Sequence, residues 1–345
     1  MRIIVDAMSG DNAPFEIVKG ALGAAEKYDI DLVLVGDREA IENAARESGK
    51  SLSGVEIVEA PQVITMEDDP NAVVRAKKDS SMAVALRTLK ENGDAVVSAG
   101  NTGALHVGSS LLVRPIKGIR RPSIATILPF PKPVMLLDSG ANINVIPEYL
   151  ESWAIMGSVY MKNIFGIDRP TVGLVNNGEE EHKGTELMVK THALLKNCPD
   201  INFIGNVEGR DIPFGVCDIL VTDGFTGNII LKYTEGFGKF FMKTLKTLYS
   251  KNARSKMSFL AMKGQIMELK KQFDASEYGG APLLGLSKPV LKAHGSSDAR
   301  AIENAVRQAV IFCDTGVTDE IRAIFRRKAE EKAQSSSEQG DGDDK

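Results

Sequence analysis

Cysteine is scarce in this 345-residue chain, with Cys198, Cys217 and Cys313 its complete set. Their wide spacing offers no metal-ligand pattern, and an odd count argues against a disulfide framework and for a reduced, cytoplasmic compartment. Cys198 and Cys217 read as small core residues. Long hydrophobic runs are missing as well. The opening MRIIVDAMSGD is too short an apolar run for a signal peptide, and no stretch is long enough to span a bilayer. The net charge of -4 lacks the basic excess that nucleic-acid binding would need. No G-x-G-x-x-G follows the first apolar run, and no G-x-S-x-G nucleophile elbow occurs. The three glutamates 179–181 are adjacent in one short loop and do not define a metal site; no metal and no cofactor are expected.

What is present is ordinary in bulk, 43% hydrophobic and 26% charged, as in a globular protein with a large core. Strand-like apolar runs at 2–6, 31–36, 55–59, 95–98, 123–128, 134–138, 171–175, 203–205, 219–222 and 290–292 alternate with helical patterns at 14–28, 38–48, 80–92, 148–165, 186–197 and 298–316. Such alternation implies crossover connections and an α/β fold of three αβα layers around a largely parallel, doubly wound sheet. Residues 1–330 form this unit. The Ser-, Glu-, Gln-, Gly- and Asp-rich segment 331–345 is expected to be a disordered acidic tail.

Two distant stretches read almost alike, DAVVSAGNTGA at 94–104 and DILVTDGFTGN at 218–228. Each is a strand-length apolar run ending in a glycine loop with a hydroxyl. Six polar glycine loops follow strand-like runs, at 7–13, 99–103, 139–144, 176–184, 223–228 and 294–298. Loops at strand carboxyl ends line the ligand crevice of an open α/β sheet, and glycine lets backbone N–H groups approach an anion. The candidate phosphate or substrate contacts are therefore Asp6, Gly10, Asp11, Ser98, Gly100, Asn101, Thr102, Gly103, Asp138, Gly140, Asn142, Asn177, Asp223, Gly224, Thr226, Gly227 and Ser296. Each loop taken singly also reads as a turn or helix cap.

Residues 235–273 break the alternation with two helical apolar patterns, one carrying Phe237, Phe240, Phe241, Leu245 and Leu248, the other Phe259, Leu260, Met262, Ile266, Met267, Leu269 and Phe273. A projecting hairpin with a cationic turn is expected. It would meet the same hairpin of a second subunit, touch an anionic membrane surface at its tip, or be buried in the chain's own core.

The loops together resemble the PlsX family, the bacterial phosphate acyltransferases of phospholipid synthesis. The matching segments are VDAMSGDNAP, VSAGNTGA, LLDSGANIN, MGSVY, VGLVNNGEEEHKGTEL, FIGNVEGRDIP, DGFTGN, YGGAPLLG and HGSSDA, in one order across residues 1–329. The family usually reads DAMGGDHAP at the start, where this chain has Ser9 and Asn12, so no acid–base role falls to position 12. The loop LVNNGEEEHKG departs from the more usual LLNIGEEETKG but keeps its Glu and Lys. The resemblance implies transfer of a fatty acyl group from acyl carrier protein to inorganic phosphate. It also implies a fold like isopropylmalate dehydrogenase and phosphate acetyltransferase, a homodimer, and a downstream glycerol-3-phosphate acyltransferase as user of the acyl phosphate.

For that chemistry phosphate must be positioned and the developing oxyanion given donors; thiolate leaves readily, so no covalent nucleophile is needed. Lys183, a compact cation among glutamates and glycines, is the first choice for phosphate. Asn228 has an amide able to donate to an oxyanion, and His294 in HGSSD is the candidate for orienting phosphate or a proton. His182 reads as a surface residue. Arg75, Lys77 and Lys78, and Arg114, Lys117, Arg120 and Arg121, are two basic clusters that an acidic carrier protein would favour or that are merely solvated. Two other readings remain open, a nicotinamide-dependent dehydrogenase of the same fold class and a membrane-surface scaffold for lipid enzymes, peripheral on the inner face of the cell membrane.

Overall fold

The first apolar run, Arg2–Asp6, forms strand β1, whose Ile3, Ile4 and Val5 are completely buried. A strand apolar on both faces belongs in the middle of a covered parallel sheet. It lies between β2 (Asp31–Gly36) and β4 (Ala95–Ser98), parallel to both. The full order of this seven-stranded sheet is β3 (Glu56–Glu59), β2, β1, β4, β12 (Val290–Lys292), β11 (Ala281–Leu284) and β5 (Ser123–Ile124). The computed structural model describes residues 1–272 and 279–340.

A second sheet of five strands runs β6 (Thr126–Leu128), β7 (Val134–Leu137), β10 (Ile219–Val221), β8 (Thr171–Asn176) and β9 (Asn202–Glu208). Residues 123–128, expected as one strand, break at Ala125. Ser123 and Ile124 pair with β11, while Thr126–Leu128 pair antiparallel with β7. One bent strand thus joins the sheets at their edges and sets their strand-end loops on either side of a cleft.

Helices cover both sheets. Ile3 and Val5 share a core with α1 (Phe15–Lys27), α2 (Arg38–Glu47) and α9 (Ala299–Asp314), and Ile4 faces α3 (Ser81–Asn92) and α4 (Thr102–Gly108). In the second sheet Met135, Leu137, Val172 and Leu174 pack on α5 (Pro147–Phe165) and α6 (Glu186–Lys196). Leu136 and Leu220, on the opposite face, meet Ile230 and Leu231 of α7 (Gly224–Ser250). The expected three-layer α/β architecture is therefore observed.

The larger core runs through both sheets, so the lobes are packed as one body. At their junction Gln308 Nε2 donates to the Tyr160 hydroxyl at 2.5 Å, and the Tyr160 ring meets Phe312 edge-on at 5.7 Å. Trp153 is fully buried with its indole N–H on the Arg121 carbonyl at 2.9 Å. Burying large side chains of this kind is worth about 1.5–3 kcal/mol each.

The hairpin forms, but its first helix begins earlier than expected. Helix α7 is continuous from Gly224, and α8 (Ala253–Gln272) returns along it, with Tyr249 and Phe259 rings 5.6 Å apart. Phe273 lies outside the described residues. Helix α10 (Val317–Gly340) extends through residues 331–340, which composition had assigned to the tail; residues 341–345 lie outside the described range.

Candidate active site

A cavity of about 850 Å³ opens between the strand-end loops of the two sheets. Thr102, Lys292, His294, Ser296, Ser297 and Asp298 line it from the first sheet's side, and Ser139, Gly140 and Asn228 from the second. Further in, its wall becomes Ile127, Met135, Leu231 and Pro282.

The second-sheet wall is organised by Asp138. Its fully buried carboxylate accepts five hydrogen bonds, from the backbone N–H groups of Ile124, Gly140, Ala141 and Asn142 and from Asn142 Nδ2. Burial pushes its carboxyl above the ordinary range, and those donors oppose the shift. Asn142 Nδ2 also reaches the Pro122 carbonyl at 2.9 Å. Onto this knot helix α7 docks by its first turn. Asp223 caps it, accepting from Thr226 N at 2.9 Å and Thr226 Oγ1 at 2.7 Å. A Cβ at Gly227 would lie 1.9 Å from the Asp138 carbonyl oxygen, and one at Gly224 would lie 2.7 Å from that of Asn142. The glycines of DGFTGN thus permit close helix packing, which leaves Asn228 exposed in the next position beside Gly140.

The first-sheet wall is the loop 294–298. Asp298 caps α9 through Ala301 N at 2.9 Å. The His294 Nδ1 lies 2.8 Å from Ser296 Oγ and 3.2 Å from Ser296 N, which makes Nδ1 the acceptor and Nε2 the N–H. Burial lowers the His294 pKa; Glu235 raises it, and Lys232, Lys292 and Lys239 lower it further, so the ring is neutral at neutral pH. Asn12 holds this loop, its Nδ2 donating to the Ser296 and Ser297 carbonyls at 3.2 Å each, and Asp11 N donates to the Gly295 carbonyl. The residue that departs from the family pattern is therefore a tether.

Sequence reasoning missed Lys292. It ends β12 immediately before that loop, and its ammonium donates to the carbonyls of Ala99 (3.2 Å) and Ala293. Among the described residues no carboxylate forms an ion pair with it. Burial lowers its pKa to about 8, helped by the nearby charge of Lys232, while Asp11 and Asp6 pull the other way. The available signal was a lysine closing an apolar strand directly before a glycine loop.

Other candidates serve the scaffold. Fully buried Asp6 accepts from Ser98 Oγ at 2.7 Å, with the Ser81 and Ser9 hydroxyls beside it, outside strict hydrogen-bond geometry. Asn101 caps α4 through Ala104 N and donates from Nδ2 to the carbonyls of Thr65, Met66 and Asp68, so Thr102 and Gly103 are a helix's first turn. Gly100 N donates to Ser98 Oγ, and Gly10 sits at φ 119° against Ala99 and Gly295. The look-alike stretches begin equivalently, Asp94 accepting from Arg2 N and Asp218 from Thr171 N, each on the neighbouring strand. Their helix caps, Asn101 and Asp223, do not align.

Lys183 and Asn177 are exposed on the loop after β8 and do not line the cavity. That strand adjoins β10, so their loop neighbours the Asp223–Asn228 turn. Among the described residues no carboxylate pairs with the Lys183 ammonium, although Glu181 of its own loop binds Lys196 at 2.6 Å.

A bent α/β fold with a cleft between strand ends, a half-buried lysine in one wall and a helix-start amide in the other is an arrangement suited to an anion. The same fold occurs in a phosphotransacetylase from Streptococcus pyogenes, with a TM-score of 0.63 at 17% identity, over 91% of this chain and 94% of that one. Residues 1–320 match the model of the family described as fatty acid synthesis protein, and the chain belongs to that family. It is 46% identical over 334 residues to a phosphate acyltransferase of Thermoanaerobacter pseudethanolicus, covering 96% of this chain and 99% of its relative. The phosphate acyltransferase of Clostridioides difficile is 42% identical over 341 residues, covering 98% and 100%.

Proposed function

We propose that this chain transfers a fatty acyl group from acyl carrier protein to inorganic phosphate, releasing acyl phosphate for phospholipid synthesis. That it is an acyltransferase follows from its family; the donor, the pathway and the residue roles are the finer reading. One observation carries it: a single cavity combines a polar mouth holding a half-buried lysine, which has no ion-pair partner among the described residues, with a largely apolar interior. An anion and a fatty chain need those two environments side by side.

In this reading Lys292 holds phosphate, with Lys183 gathering it from the adjoining loop. A phosphate oxygen attacks the thioester carbonyl, the C–O bond forms, and the C–S electron pair leaves as thiolate. The Asn228 amide donates to the carbonyl oxygen as it becomes an oxyanion. The proton of monohydrogen phosphate ends on the thiolate, and the His294 Nε2–H orients phosphate by donating to one of its oxygens. Arg114, Lys117, Arg120 and Arg121 are exposed just before β5, whose Ile124 lines the cavity, and suit an acidic carrier protein.

The hairpin supports a homodimer and weak contact with an anionic membrane. Phe237 and Phe240 are exposed along α7, and Met257 and Leu260 are 72% and 69% exposed near the turn, beside Lys251, Arg254 and Lys256. No helix among the described residues is long and apolar enough to cross a membrane. A few such apolar groups with nearby cations, about 1 kcal/mol per cation, give reversible attachment. The test of the reaction is incubation with acyl-acyl carrier protein with and without phosphate. Thioester loss should require phosphate; equal loss without it would mean a hydrolase.

A further inference from the structure

We infer that the inner part of this cavity is the acyl-chain site, and that Tyr160, Gln308 and Phe165 form the floor that sets the longest chain accepted. The inference rests on the proposed acyl transfer and adds where the chain lies and what ends it.

The cavity's depth is visible in the burial of its lining. At the mouth Asn228, Lys232 and Lys239 are exposed, whereas Tyr160 is 2% and Gln308 7% exposed. The intervening wall is Ile127, Met135, Leu231, Met242 and Pro282. At the floor the two polar groups occupy each other, since Gln308 Nε2 donates to the Tyr160 hydroxyl. That bond takes up one donor and one acceptor at the floor, and the wall leading to it is apolar, which suits a hydrocarbon. About 850 Å³ lies in the upper range for sites that enclose most of a small ligand. The floor is also rigid. The Tyr160 ring packs on Phe165 at 6.4 Å and on Phe312 at 5.7 Å, and Tyr160 lies inside the core that joins the lobes.

A thioester entering by its chain would have its carbonyl stop at the mouth, between Asn228 and Gly140 on one side and Lys292 and His294 on the other. The phosphopantetheine arm of a carrier protein would leave past Lys232 and Lys239, exposed cations of α7 that suit that arm's phosphate.

A non-cleavable thioether analogue of hexadecanoyl-pantetheine, bearing a photoreactive diazirine at the chain end, tests this without turnover. After illumination and peptide mapping the label should fall on Tyr160, Phe165 or Gln308. Label confined to the exposed face of α8, or no saturable label, would overturn the inference. A kinetic arm uses Ala301→Leu, which enlarges a half-buried α9 side chain lining the cavity. Each buried methylene is worth about fourfold, so displacing two or three should lower the hexadecanoyl to butanoyl ratio of kcat/KM roughly 15- to 60-fold. An unchanged ratio in a folded variant would count against the chain lying here. If the label maps to the floor but no thioester is consumed with phosphate, the acyltransfer reading fails and the chain site stands.

Discussion

Lys292→Met replaces a half-buried ammonium by an apolar side chain of similar length, and the structure says what each half of that change does. In the native protein the ammonium has two carbonyl partners and no carboxylate ion pair among the described residues. Holding it charged at pH 7 with a pKa of about 8 in place of 10.5 costs the fold about 3 kcal/mol. Losing its bonds to the Ala99 and Ala293 carbonyls offsets about 1 kcal/mol each. The variant should therefore melt at or slightly above the native temperature. The linkage sign follows. The native penalty is full below pH 8 and disappears as pH rises toward 10.5, so native protein should gain on the variant across that interval. Function should move the opposite way. A charge-assisted contact to phosphate is worth about 1.5–3 kcal/mol, so kcat/KM for phosphate should fall roughly 10- to 150-fold. In native enzyme the same parameter, expressed per phosphate dianion, should decline as pH rises through about 8, because only the protonated lysine binds. The variant should lack that decline. Phosphate kinetics and thermal unfolding by circular dichroism are the assays. A variant that unfolds readily but keeps native phosphate kinetics would refute the reasoning and make Lys292 a structural residue.

Asn228→Ala should lower turnover by on the order of a hundredfold or more with little change in phosphate KM, as loss of an oxyanion donor does; a pure KM effect would move Asn228 to binding. Lys183→Ala should raise the phosphate concentration needed for half-maximal rate and leave melting unchanged, since the residue is exposed and its ammonium lacks an ion-pair partner among the described residues. Native phosphate dependence would remove it from the site. Leu260→Glu should abolish sedimentation with anionic liposomes while activity on soluble substrate survives, and a monomeric or unfolded product would show that the tip is buried structure.

Much of the fold was legible because its strands are buried on both faces. The runs at 2–6, 31–36, 95–98 and 290–292 coincide with β1, β2, β4 and β12. Strand β11 escaped notice because APLL is short and contains proline, and only pairing with β12 and β5 makes it a strand. The bend at Ala125 is likewise a tertiary fact, since it comes from two different partners for adjacent residues. Of the glycine-loop residues singled out in the sequence, Thr102, Gly140, Asn228, His294 and Ser296 lie on the cavity wall. Their chemistry was read too uniformly. Gly224 and Gly227 admit a helix against Asp138, and Asn101 and Asp223 are caps. Lys292 was illegible because its character comes from partial burial and from the absence of an ion-pair partner among the described residues, which no local pattern encodes.

The most direct measurement supplies phosphate labelled in all its oxygens to the enzyme with acyl-acyl carrier protein and weighs the product by mass spectrometry. Attack by a phosphate oxygen predicts acyl phosphate that retains every labelled oxygen, formed in step with free carrier-protein thiol. Unlabelled fatty acid as the sole product, at a rate indifferent to phosphate, would contradict the account.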